Sequence, residues 1–399
     1  MFRRALRFVF NNSLLLIAGA VVALLWVNLH HGSYEGFLQF RLFTNSYVGS
    51  VTEGGARVVD LHFVVNEILM AFFFALAGRA VWSSFLPGGP LHQPRQAALP
   101  ILCTLGGMAG PAVLYLAGAA LLGRWSELHR GWAIPCATDI AFSYMVARLI
   151  FARNHAAISF LLLLAIADDA LGMAVLAIFY PSHEVQLAWL LLSVAAVGLG
   201  LLLQRLRVHG FLWYLIIPGA ISWFGFALAG LHPALSLLPI VPTIPHTSIH
   251  KEHLGWDVVR LADKRSQMEY WLKNPSEMVL GLFSLFNAGV VLGSVGGPAF
   301  LVSAALVFGK PLGIFLTALL SMKLFGLKLA DGLRLRALWV MGCISGIGFT
   351  VATFVATVAF PPGPVQDAAK MGCLASFVAA FVAYGMARLL RVKRTAPQA

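Results

Sequence analysis

Charge is scarce in this sequence. Lys, Arg, Asp and Glu together make up 11% of 399 residues, against about 25% in an ordinary soluble domain. That scarcity excludes a water-soluble globular protein of the usual kind. Cysteine is scarce too: Cys103, Cys136, Cys343 and Cys373 lie in or beside apolar segments, with no CxxC or Cys/His spacing. A disulfide framework and a zinc site are thereby excluded, and the thiols read as small buried residues. No small-residue cleavage site follows the first apolar run, so that run reads as a retained first helix and not a secretory leader. DDALG (168–172) has no third acid, which excludes a DDxxD-type metal-dependent lipid enzyme. A GxGD context is missing as well, which argues against an intramembrane aspartyl protease.

Apolar residues are what the chain has in abundance, at 59%. Roughly 20 of them in a row cross a bilayer, and runs of that order recur from end to end. They predict an all-α polytopic membrane protein, a single transmembrane domain over 1–399. About twelve spans are expected, near 12–30, 62–82, 98–121, 132–149, 157–180, 186–204, 211–224, 229–242, 276–295, 299–321, 337–360 and 368–390. The seventh and eighth are short. The net charge of +12 does not indicate nucleic acid, because the basic residues lie in short clusters between the apolar runs. With the N-terminus in the cytoplasm, the outside segments hold only Arg41, Arg57, Arg124 and Arg130. Every other Lys or Arg between the runs falls inside, as the positive-inside rule requires. Both termini are then cytoplasmic.

The longest polar insertion, 243–275, falls on the inside. It carries His246, His250 and His253, but HxxxHxxH fits no strong metal signature, and Pro242 and Pro245 disfavour a regular helix there. It reads as a polar cytoplasmic loop. Elsewhere AGPAVLYLAGAAL (109–121) echoes FGKPLGIFLTALL (308–320). Each copy opens three consecutive spans, and seven steps separate the third span from the tenth, so the copies run in opposite directions. Inverted repeats, about 98–180 and 299–390, are a transporter signature.

Few charges lie inside the runs. Glu67 and Lys370 are near the outer ends of theirs and can reach the interface. Asp168 and Asp169, in LLLLAIADDALGMAVLAIFY (161–180), cannot: about ten apolar residues flank them on each side, and aspartate is short. Adjacent residues on a helix point about 100° apart. One carboxylate can therefore face a water-filled cavity while the other reaches a neighbouring helix. Burial and mutual repulsion oppose two simultaneous negative charges. A cation and protons would compete to neutralise them, which is the minimal machinery of cation/proton exchange. Lys310, mid-run in VFGKPLGI, would shed its proton if alone and can stay charged beside an aspartate. IPCATDIAFSYMVARL (134–149) places Pro135, Thr138 and Asp139 in an otherwise apolar span, and GCISGIGFTVATF (342–354) interrupts another with Gly342, Gly346 and Gly348. Interrupted segments in two halves point to broken helices. If the breaks meet, like partial charges face one another: Asp139 would offset the N-terminal ends and a cation such as Lys310 the C-terminal ends.

Together these stretches resemble the NhaA-type sodium/proton antiporters of bacterial inner membranes. The resemblance is carried in order by GWAIPCATDIAFSYMVARL, LLLAIADDALGMAVLAIFY, FNAGV (286–290), GKPLGI (309–314) and SGIGFT (345–350), with LGGMAGPAVLYLA (105–117) and LHPALS (231–236) beside them. It implies a twelve-helix fold with inverted repeats and two discontinuous helices crossing at mid-membrane. It further implies Asp169 as the principal sodium and proton carboxylate with Asp168 beside it, Lys310 as the partner of Asp168, and Thr138, Asp139, Gly346 and Gly348 at the crossing. The transported ions would be Na+ or Li+ and H+, exchanged electrogenically for pH and sodium homeostasis, with no enzymatic activity and no cofactor. A homodimer in the lipid bilayer is a further candidate. His232 matches a histidine linked to pH response and Glu67 is a second candidate for that role, although each also reads as a helix-end residue. One departure stands out: GRAVWSSFLPGG (78–89) has Ala80 and Ser84 where glutamates are expected, which puts the familiar pH activation in doubt. The nearest rival is a sodium-coupled symporter of an organic solute, which would need a roomy cavity and ordinarily no buried Lys310.

Overall fold

The computed structural model describes residues 14–392 apart from 46–47, 52–56, 88, 90, 93, 153–154, 246–266, 294–295 and 331. The His-bearing part of the 243–275 loop lies outside the described residues. Among those described, long apolar helices account for nearly everything. Helix α1 is Leu14–Leu29 and α2 His31–Leu38. A small antiparallel sheet of β1 (Arg41–Asn45), β2 (Ser50–Val51) and β3 (Arg57–Asp60), in the order β1-β3-β2, precedes the second span. The hydropathy pattern carried no sign of this sheet. Asp60 ends it and caps α3 (Leu61–Phe85), its carboxylate accepting the Phe63 N–H at 2.7 Å.

Two triads of spans follow the same plan. In the first, α4 (Pro94–Leu121) is continuous. The next span is broken into Trp125–Cys136, here α5, and Ile140–Ile150, here α6, bent by 52°, and α7 (Ala156–Phe179) is continuous again. In the second, α11 is Gly297–Phe325. The broken span is α12 (Leu335–Ser345) and α13 (Thr350–Ala359), bent by 49°, and α14 (Pro364–Leu389) closes the triad. Between the triads run α8 (Leu187–Arg205), α9 (Phe211–Ala229) and α10 (Gln267–Asn287). The repeats meet where α4 crosses α11. Gly106 and Gly110 of one lie against the backbone of Gly309 and Gly313 of the other, with no room for a Cβ between them. In lipid, such close approach of small residues is what lets helices associate, since apolar burial supplies no drive there.

Most expected spans appear within a few residues of their limits. The seventh, eighth and ninth do not: the ninth, expected over 276–295, is α10 at Gln267–Asn287, which begins inside the stretch read as the 243–275 loop. Helix α9 runs on through Trp223 to Ala229 and stops at Gly230, which takes the left-handed conformation (φ 84°) that favours glycine. The segment expected as the eighth span, 229–242, is then mainly the short turns Pro233–Leu235 and Val241–Thr243. Three prolines, Pro233, Pro239 and Pro242, deny it the amide donors a continuous helix needs. Local turn bonds, such as Ser236 N–H to the Pro233 carbonyl and Ile240 N–H to the Leu237 carbonyl, satisfy much of its backbone, and buried Arg79 of α3 donates to the carbonyls of Val241 and Ile244.

Candidate functional site

The two breaks lie against each other. Gly348, in the unwound stretch 346–349, is so close to the Ala137 carbonyl that a Cβ there would sit 2.7 Å from it. A Cβ on Gly346 would sit 2.6 Å from the Leu306 carbonyl. Loss of helix frees amides and carbonyls that must find partners away from water. They find them across the crossing. The Asp139 N–H donates to the Ile347 carbonyl at 2.8 Å. The hydroxyls of Thr138 and Ser143 donate to the carbonyls of Ser345 and Ile344, each at 3.2 Å. Asp139 caps α6 through Oδ1, which accepts the Phe142 N–H. Its Oδ2 accepts both the hydroxyl of Thr350, at 2.8 Å, and the Thr350 N–H. This carboxylate is therefore fully occupied, and it offsets the positive N-terminal ends of α6 and α13.

The aspartate pair splits as the 100° spacing requires. Asp168 turns to α11, where Lys310 Nζ donates to its Oδ2 at 2.7 Å. Both side chains are almost wholly buried. The same ammonium donates to the carbonyl of Cys136, at the edge of the first break. Asp168 Oδ1 is buried with no hydrogen-bond partner. Lys310 sits directly after a π-helical turn, Ala305–Gly309, and such turns re-aim side chains at functional sites.

Asp169 faces the other way, into a cavity of about 230 Å3 that it lines with Thr138, Asp139, Ile166, Thr350 and residues of α3 from Phe73 to Val81. No hydrogen bond or ion pair holds its carboxylate among the described residues. Of the three acids at the crossing, one is capped, one is paired, and Asp169 alone is open to a ligand. Ala80 lines this cavity, so no acid stands at its mouth there, and Ser84 turns away to bond the Ala80 carbonyl.

Asp168, Asp169, Lys310, Thr138, Asp139, Gly346 and Gly348 are thus brought together. Glu67 and His232 are brought to each other, 3.2 Å apart, and away from the cavity, with the ring of His232 against Phe354. Sequence reading missed Thr350 and Ser345. Thr350 had a visible signal, being the first residue after a glycine-interrupted stretch, where a hydroxyl at a helix start commonly finds a partner.

The chain matches known proteins over nearly its whole length. Residues 3–387 match the family described as Na+/H+ antiporter 1. The Na+/H+ antiporter NhaA of a Jannaschia species is 46% identical over 98% of this chain and 99% of its own length. The NhaA of Geobacter sulfurreducens is 43% identical over 95% and 96%. Among solved structures, the sodium proton antiporter MjNhaP1 of Methanocaldococcus jannaschii is similar in fold alone, with a TM-score of 0.55 at 15% identity over 95% of this chain and 90% of that one.

Proposed function

The chain belongs to the Na+/H+ antiporter 1 family, and on that premise we propose that it exports Na+, or Li+, in exchange for protons across the inner membrane of a bacterial cell. The observation that carries the reading is the division of labour between the two aspartates. Lys310 holds the charge of Asp168, so the cavity presents a single uncompensated carboxylate, Asp169. A hard cation seeks oxygen ligands, and the Asp169 carboxylate with the Thr138 hydroxyl beside it offers them. A proton neutralises the same group. Only one can do so at a time, and a charged empty site is costly in a low-dielectric interior. That exclusivity couples outflow of one ion to inflow of the other.

Electrogenic exchange follows if the cation draws in both carboxylates. Lys310 then loses its counter-ion, and charge balance at the crossing calls for more than one proton per Na+. Asp139, Thr138, Gly346 and Gly348 serve as the frame in which this happens. With both termini cytoplasmic, the cavity runs from Asp169 along the inner half of α3, so this conformation faces the cytoplasm. A symporter of organic solutes is disfavoured: about 230 Å3 is below the ~300–1,000 Å3 of ordinary ligand pockets, and Lys310 fills the space behind the acids.

Transport in proteoliposomes tests the reading. Adding Na+ or Li+ against a preformed pH gradient should dequench an acridine dye, and Asp169→Asn should abolish the response. A wild-type protein that gives no dequenching at any pH from neutral to alkaline would overturn it.

A further inference from the structure

The repeats are unequal in one respect. When the two echoing stretches are aligned on their prolines, Pro111 and Pro311, GPAVLYL lies over KPLGIFL and Lys310 falls opposite Gly110 of the first repeat. Asp168 has a counterpart as well. Helix α7 starts at Ala156 and α14 at Pro364, and the residue that lies as far into α14 as Asp168 lies into α7 is Ser376. The charged pair Asp168–Lys310, one member from each repeat, therefore corresponds to the neutral pair Ser376–Gly110. Both charges are missing together in the second version.

Ser376 is fully buried and sits where α14 loosens between Ala375 and Val378. Its Oγ lies 2.6 Å from the Cys373 carbonyl, to which the hydroxyl donates, and accepts the Gly348 N–H at 3.1 Å. The Gly348 carbonyl is 3.2 Å away. Gly348 is in the unwound stretch, so its amide has no helical partner. The far side of that stretch binds Asp139: the Ile347 carbonyl accepts the Asp139 N–H, and Thr350 donates to Oδ2. In the first repeat the residue at this place also secures a break, since the Lys310 that Asp168 holds donates to the Cys136 carbonyl.

We propose that Ser376 is a positioning residue for ion exchange, the neutral counterpart of Asp168, which pins the unwound backbone at Gly348 and through it holds Asp139 at the cation cavity. Its neutrality has a consequence. With no cation opposite, at Gly110, an acid at this place would be uncompensated, so the ion site is confined to one side of the pseudo-symmetric crossing.

The inference rests on the exchange reading, and the test separates the two. Wild type, Ser376→Ala and Ser376→Thr are reconstituted and the Na+ dependence of dequenching is measured. Ser376→Ala should raise the apparent KM for Na+ roughly tenfold, the size expected when one buried amide loses its partner, with the rate at saturating Na+ within about twofold of wild type. Ser376→Thr, which keeps the hydroxyl, should restore the wild-type KM. If Ser376→Ala fails to reach the membrane, the near-isosteric Ser376→Cys carries the same criteria. An unchanged KM in the hydroxyl-less variant, a fall in saturating rate alone, or an equal defect in Ser376→Thr would overturn the inference and leave exchange standing. A wild-type protein without a Na+ response would overturn both.

Discussion

The Lys310–Asp168 pair allows a quantitative test. Replacing Lys310 by methionine keeps most of the volume and removes the ammonium. Asp168 Oδ1 has no partner already, and Oδ2 would lose its only one, at 2.7 Å. A buried carboxylate stripped of its partner costs about 3–5 kcal/mol. With an unfolding entropy of about 2.1 cal/mol/K per residue, that displaces the melting temperature of a chain this long by about 4–6 °C. Pairing the change with Asp168→Asn removes the charge that had become unpaired. The double variant should recover most of the loss, because a well-packed neutral replacement of a buried ion pair is close to neutral in stability. The assay is thermal unfolding of the detergent-solubilised protein for wild type, both single variants and the double variant, as a double-mutant cycle. A Lys310→Met protein that melts with wild type, or a double variant as unstable as the two single losses added together, would refute the reasoning.

Three further outcomes are expected. Thr350→Val leaves Asp139 Oδ2 without its 2.8 Å hydroxyl donor. A hydrogen bond to a charged group is worth about 1.5–3 kcal/mol, so the Na+ dependence of dequenching should shift to higher concentration by at least tenfold, while Thr350→Ser stays near wild type. Gly348→Ala drives a Cβ to 2.7 Å from the Ala137 carbonyl, backbone against backbone, and should abolish exchange in vesicles even where the protein is inserted normally. His155 caps α7 by accepting the Ala157 N–H on Nδ1 at 3.1 Å, and burial pushes its imidazole below the ordinary value of 6.5. Only the neutral ring can accept, so the cap contributes fully above that value and is lost as the pH falls below it. His155→Ala should therefore cost about 1 kcal/mol in a melting comparison at pH 8, with the gap closing toward pH 5, whereas a pH-independent gap would exclude the capping role.

Much of the site was legible in the chain because membranes make polar residues conspicuous. An aspartate pair ten residues deep in an apolar run cannot be an interface residue, and two adjacent helical positions cannot face the same way. The same physics located Lys310, Thr138, Asp139 and the glycine-interrupted stretch. Legibility failed where a residue's role depends on a partner far along the chain. Thr350 and Ser376 are ordinary hydroxyls in the sequence, and Ser376 gains meaning only from the Gly348 amide opposite it. The eighth span was misread because an apolar run containing prolines has the hydropathy of a helix without its donors; local turn bonds, Ser222 and Arg79 of α3 satisfy its backbone instead.

The sequence alone determined that this chain crosses a membrane many times, that its charge sits at mid-depth, and that the two aspartates must part company. Those conclusions follow from transfer energies and helix periodicity, which act locally. Tertiary structure decided which aspartate is paired and which is open. That choice rests on Lys310 reaching α7 from α11, on Asp139 being saturated by Thr350, and on two unwound stretches trading hydrogen bonds across the crossing. Each is a contact between residues more than a hundred positions apart, set by how the helices pack and invisible to any window along the chain.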